Sequence, residues 1–408
     1  MRKRWRMTAF ILCMSLCMCA CASKNEEEHK TEAEKKIENP SEIVEKEYQK
    51  KLDAIEPAAY GNVSGLELEA GSYISIIGKG RDGEYWKQVE AGARQAAADL
   101  NEELGYKGKD EVRVTYSGPA EADNVDEQVN ILDEELARYP IGLSISIADT
   151  KACGVQFDLA LDNGIPIVAF DSGSDYQGLM ATVSTDNSGS AQTAAEKMAE
   201  LMGESGEIII FVQDSTSMSA MERENGFAEK IKADYPELSI TQIYHMDQLD
   251  EVKEAMVKER YPQSMEENST EENSTEEKSA EELKAEELAA EITVEEIMDY
   301  ILEKNPQVKG IYGTDGTAVR AAAEAIARAE RDDIIVIGYD GDEEELEALR
   351  DGRVKGLMIQ NPFGMGYAAV VASARAALSM GNEAYVDTGV MWVTQENLES
   401  EAVKAWLY

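Results

Sequence analysis

The sequence predicts an α/β protein built from two doubly wound parallel-sheet lobes joined by a hinge. Two observations predict it. Short apolar runs, nearly continuous in hydrophobicity, alternate with helix-length stretches, which is how strands buried on both faces of a parallel sheet read. The same alternation then runs through a second time, and so many βα units call for two sheets.

In the first half the predicted strands are 73–77, 112–116, 141–147 and 165–170, with helices at about 85–104 and 125–137 and another between the last two strands. In the second half they are 208–212, 239–244, 308–312, 334–338 and 356–359. One stretch breaks the rhythm. Residues 266–290 are five consecutive pentapeptides, each beginning Glu-Glu, with ten Glu and two Lys. A period of five leaves no apolar face on a helix, so 264–292 reads as a low-complexity acidic insertion on the surface, disordered or a frayed helix. Thr293 and Glu296 have capping-box spacing and restart a helix after it.

The N-terminus carries a different signal. Arg2, Lys3, Arg4 and Arg6 precede an apolar stretch over 7–19, too short to span a bilayer comfortably. Met18-Cys19-Ala20-Cys21 resembles a bacterial lipobox. That resemblance implies a signal peptide over 1–20 and lipidation of Cys21. Of the five cysteines, three fall in the removed segment and one is acylated, leaving Cys153 without a disulfide partner. Residues 21–70, acidic and Lys-rich, read as a tether with a helical stretch near 43–55.

Composition and motifs exclude several functions. The chain has 81 acidic and 39 basic residues, a net charge of −42, and lacks the basic footprint that nucleic-acid binding needs. Gly78, Gly80 and Gly83 form a G-x-G-x-x-G directly after the first strand. The next strand ends near Ser117-Gly118 with no acid there to hold a ribose, and bulky Tyr85 and Trp86 stand where close helix packing is needed, so a dinucleotide cofactor is not expected. The chain has two histidines, His29 and His245, and no G-x-S-x-G elbow. Asp340-Gly341-Asp342 begins like a calcium loop, but Glu345 stands where its turn glycine belongs. No metal, cofactor or catalytic residue is assigned.

The positive signal lies at strand ends. Ile165-Pro166-Ile167-Val168-Ala169-Phe170-Asp171 and Val336-Ile337-Gly338-Tyr339-Asp340-Gly341 each place a carboxylate just past a buried strand, facing the crevice where open α/β sheets bind ligands. Between them stands Glu222-Arg223-Glu224-Asn225-Gly226-Phe227. In order and flanking residues this resembles the type I periplasmic sugar-binding family, whose best-known type is the D-ribose-binding protein. The resemblance runs from Tyr73 to about Thr394, apart from the acidic insertion.

The resemblance implies the type I periplasmic binding protein fold, with a pocket between lobes joined by three crossing segments and closure on the ligand by a hinge motion. It places the N-lobe at 71–185 plus 361–390 and the C-lobe at 186–360 plus 391–408. It implies that Tyr85 and Trp86 cover the apolar face of a sugar, that Asp171 and Asp340 accept from its hydroxyls, and that Arg223 donates to it. Gln360 matches a hinge-proximal glutamine, and Asp315 matches an acid that binds the ligand or caps the next helix. Ser172 and Thr314 belong to the same set but stand where the ribose binder has an arginine and an asparagine, and Gly83 replaces another asparagine. These departures point away from ribose itself and towards a larger sugar, an inositol-like polyol or a modified sugar. No ring is assigned from the C-lobe, where Met246 and Leu249 lie nearest.

The expected function is capture of a sugar or polyol outside the cytoplasm and delivery to an ABC permease with its ATPase, by a monomer anchored to the membrane through lipid. Two alternatives remain: a sensory receptor of the same fold feeding a histidine kinase or chemoreceptor, and an exported enzyme acting on glycosides.

Overall fold

The computed structural model describes residue 46, residues 48–261 and residues 280–408. The signal peptide, Cys21, most of the tether and residues 266–279 of the acidic repeat lie outside the described residues.

Among the described residues, twelve strands form two six-stranded sheets. The first contains β1 (Tyr73–Ile77), β2 (Arg113–Ser117), β3 (Gly142–Ile145), β4 (Ile167–Phe170), β5 (Leu179–Ser184) and β11 (Tyr385–Asp387). The second contains β6 (Gly206–Val212), β7 (Leu238–His245), β8 (Val308–Gly313), β9 (Ile335–Tyr339), β10 (Val354–Gln360) and β12 (Val390–Val393). The strand orders are β2-β1-β3-β4-β5-β11 and β7-β6-β8-β9-β10-β12. The two sheets therefore repeat one doubly wound pattern. All pairings are parallel except β10 with β12.

Alternation along each strand divides the core into layers on opposite faces of the sheet. In the first sheet Ile74, Ile76, Val168 and Phe170 join one cluster, while Ile77, Ile145, Ile167 and Ala169 join another. In the second, Ile209, Phe211, Ile311 and Val336 face one way and Ile208, Ile210, Tyr312 and Ile337 the other. Burial on both faces is why the sequence shows continuous rather than alternating hydrophobicity. The helices Glu84–Leu104 and Pro362–Ala377 pack tightly on the first sheet. Their closeness depends on Gly92 and Gly366: a Cβ on either would strike the other helix's backbone, at Phe363 O and Val89 O.

The chain passes between the sheets three times, after β5, after β10 and between β11 and β12. The last passage falls at Thr388–Gly389, so Val390, expected at the end of the N-lobe, already belongs to the second sheet.

One expectation is corrected. The tether does not extend to residue 70. A short helix (Gln49–Asp53) and the chain after it lie on the first lobe, with Leu52, Ile55, Tyr60, Val63, Leu66 and Leu68 each at most 5% exposed. Glu56 and Asp387 exchange backbone hydrogen bonds of 2.8 and 2.9 Å, and Asn361 Nδ2 donates to Lys51 O at 2.7 Å. These apolar residues follow no helix or strand period, so the sequence pattern hid their burial. The last repeats of the acidic segment form a helix (Ala280–Ala290), and the Thr293–Glu296 capping box is present.

Candidate ligand-binding site

The loops at the C-terminal ends of both sheets meet around one cavity of ≈ 190 Å³. This is smaller than the roughly 300–1,000 Å³ of pockets that take drug-sized ligands, and fits a single sugar ring rather than a chain.

Asp171 and Asp340 occupy equivalent places, one residue past β4 and β9. Both adopt left-handed backbone, with φ of 57° and 70°, a conformation that non-glycine residues hold only when their surroundings over-determine it. Each is held by its own N–H, to Val183 O at 2.9 Å and Met358 O at 3.1 Å. Asp171 accepts from Tyr85 Oη and from Ser146 Oγ, both at 2.6 Å. Asp340 accepts from Gln360 Nε2 at 2.7 Å and from Gly316 N at 3.0 Å.

Arg223 is 3% exposed. Its Nε donates to Asn187 Oδ1 at 2.9 Å, one Nη to Thr314 O and the other to Gln360 Oε1, both at 2.7 Å. The guanidinium lies 4.1 Å from the Tyr339 ring centre. A surface ion pair is thereby excluded for this residue. Two of its five N–H groups are left for the cavity.

The cavity wall is strongly acidic. Lys79, from the glycine-rich loop, lies 3.7 Å from Asp123 and 4.0 Å from Asp171. Asp315 caps the helix Gly316–Arg328, accepting from Thr317 N and Ala318 N at 3.1 Å. Burial and the neighbouring Asp340 push its carboxyl up to about 6. Glu345, fully buried and paired with Arg320, is pushed up to about 7, by burial first; Arg320 opposes the rise, and Asp340 and Asp342 add to it.

The two lobes touch around this cavity. Gln213 Nε2 donates to Asp123 Oδ2 at 3.0 Å, and Ser219 N to Ser172 Oγ at 3.3 Å. Thr150 N donates to Thr216 O at 3.3 Å, and Thr216 Oγ1 to Ala148 O at 3.3 Å. The arrangement is closed.

The cavity surface includes Tyr85, Trp86, Asp171, Arg223, Asp315, Asp340 and Gln360. Two expected residues are not on it. Ser172 sits in the lobe contact with Ser219, and Thr314 receives Gln213 N on its Oγ1 at 2.9 Å while its carbonyl holds Arg223. Both are small side chains drawn into protein–protein hydrogen bonds.

Sequence reasoning missed Lys79, Asp123, Gln213, Arg320 and Glu345 on the wall. Lys79 sat inside the glycine motif, which could have pointed to it. The glycines of that motif make room for protein: a Cβ on Gly80 would lie 2.7 Å from Trp86 Nε1, and one on Gly78 would strike Tyr116 Oη. Met246 and Leu249 pack into the C-lobe core. Instead Tyr408, from the tail, lies edge-on to Tyr85 with ring centres 6.2 Å apart, and its hydroxyl accepts from Gly341 N at 3.2 Å.

Twin doubly wound sheets closing on a polar cavity at their strand ends define a class, the two-lobed α/β binding proteins. The chain belongs to the periplasmic binding protein domain family, which it matches over residues 74–260 and 272–382. It is a binding protein and not an enzyme. The D-apiose import binding protein of Actinobacillus succinogenes is 24% identical over 300 residues, covering 73% of this chain and 79% of that protein. The ribose import binding protein of Haemophilus influenzae is 20% identical over 325 residues, covering 79% and 92%. A carbohydrate transporter solute-binding protein of Agrobacterium radiobacter, solved with D-arabinose, superposes with a TM-score of 0.66 at 26% identity, covering 83% of this chain and 99% of that one.

Proposed function

We propose that the protein captures one sugar or polyol ring in this cavity, outside the cytoplasm, and delivers it to an ABC permease and its ATPase while held at the membrane by a lipid on Cys21. One observation carries the reading. Asp171 and Asp340, set at equivalent strand ends of two lobes, flank a closed cavity that also takes Arg223 and the Tyr85–Trp86 pair. Vicinal hydroxyls donate to carboxylates and accept from guanidinium, and a ring face covers the C–H side of a sugar. Trp86 and Tyr85 meet edge to face at 5.0 Å, giving the cavity an aromatic corner. The import and transport roles of these relatives support the same reading.

Hydrolysis of a glycoside is disfavoured. It needs one carboxyl as proton donor and a second as base or nucleophile. Here every carboxylate oxygen of Asp171 and Asp340 already accepts a hydrogen bond from a protein donor.

The test is a thermal-shift screen of pentoses, hexoses, polyols, amino acids and nucleosides. A ligand bound only by the folded state raises Tm by mass action. Stabilisation by one monosaccharide or polyol supports the proposal. Stabilisation confined to nucleosides or amino acids overturns it.

A further inference from the structure

The cavity's charge is larger than a neutral sugar explains. Seven carboxylates line it against three cations. Four of the acids, Asp315, Asp340, Asp342 and Glu345, come from the C-lobe, and beside them the adjacent cation is Arg320. Arg320 is already engaged by Glu345 and, at 3.2 Å, by Glu344. Asp315 and Asp340 have backbone or amide donors. Asp342 and Glu345 do not have enough. Asp342 holds the N-cap position of the helix Glu343–Arg350 but makes no side-chain cap bond. Its Oδ1 and Glu345 Oε2 are buried without a hydrogen-bond partner among the described residues, and the Glu345 side chain is 0% exposed.

We propose that the ligand carries an ammonium group, as an aminated sugar or polyol ring whose amine seats between Asp342 and Glu345. The inference rests on the sugar-capture reading and narrows its ligand class. Buried carboxylate oxygens without donors are costly, and like charges side by side add to that cost. A hydroxyl supplies one donor but leaves the repulsion in place. An ammonium supplies three donors and the opposite charge. A bound metal ion fits less well: among the described residues no group of three or more Asp, Glu, His or Cys is placed to hold one.

The experiment is calorimetric titration of the intact protein with D-glucosamine, D-galactosamine, D-mannosamine and 2-amino-2-deoxy-D-ribose, each against its neutral parent sugar. The same titrations are run on Asp342→Asn and Glu345→Gln. The expected result is an amine preferred over its parent by about tenfold or more, with that preference lost in both variants. A neutral parent binding as tightly as its amine overturns the inference and leaves sugar capture standing. Binding of none of these sugars, with stabilisation of the protein confined to nucleosides or amino acids, overturns both. Stabilisation by Ca²⁺ alone, abolished in Asp342→Asn, overturns the inference in favour of a metal.

Discussion

Arg223 Nη2 donates to Gln360 Oε1 at 2.7 Å, and Gln360 Nε2 donates onward to Asp340 Oδ1 at the same distance. Thr185 Oγ1, at another passage between the sheets, shares Gln360 Oε1 at 3.1 Å. The last residue of β10 thus ties two cavity side chains to the hinge. Replacing Arg223 with Ala strands Asn187 Oδ1 and Thr314 O in a buried setting and leaves Gln360 Oε1 only its Thr185 donor. Unfolding free energy is expected to fall by about 2–4 kcal/mol, read by urea denaturation, together with loss of ligand affinity. Arg223→Lys is expected to rescue neither fully, because an ammonium cannot reproduce the planar fork.

Asp171→Ala removes the acceptor shared by Tyr85 and Ser146. Affinity for the ligand is expected to fall by roughly 1.5–3 kcal/mol, measured by titration calorimetry. Tyr85→Phe, which removes one donor and keeps the ring, is expected to weaken binding less.

Stability of the unliganded protein is expected to depend on the Glu345 carboxyl. The folded form holds its proton up to about 7, the unfolded chain only to about 4.5. The folded state therefore binds more protons between those values, and stability falls as pH rises through that window. The effect is roughly 3 kcal/mol. Asp315, raised to about 6, acts in the same direction. Melting curves from pH 5 to pH 8 are expected to slope less steeply in Glu345→Gln than in the wild type. An ammonium ligand favours the ionised form, so its binding is expected to strengthen over the same rise in pH.

A chain beginning at Gly71 is expected to be much less stable than one beginning at Lys46. It lacks Leu52, Ile55, Tyr60, Val63, Leu66 and Leu68, all buried. At roughly 1.5–3 kcal/mol for each large apolar side chain, the loss is comparable with the stability of an ordinary domain, about 5–15 kcal/mol. Circular dichroism melts of the two chains give the answer.

Most of the strands that the sequence revealed are buried on both faces; the edge strands β2 and β7 are the exceptions. Residues 73–77 and 308–312 were legible because nothing polar interrupts them except Ser75 and Lys309. β5, partly exposed at Leu179 and Met180, and the three-residue β11 carry no comparable run, and β12, though wholly apolar, is only four residues long and half-buried at three of them. Asp171 and Asp340 were legible because an acid directly after a buried strand has few other places to point. Glu345 was not, because it lies among Glu343, Glu344 and Glu347 on a helix that looks solvated in sequence. The folded part of the tether escaped because its apolar residues pack without a period, and Tyr408 because a terminal residue gives no signal of where its ring will lie.

The most direct test of sugar capture is calorimetric titration of the best sugar ligand into the wild type and into Asp340→Ala. The account predicts one site per chain in the wild type and a loss of about tenfold or more in the variant. Equal affinity in the two proteins would mean that the ligand does not enter the cavity between the lobes.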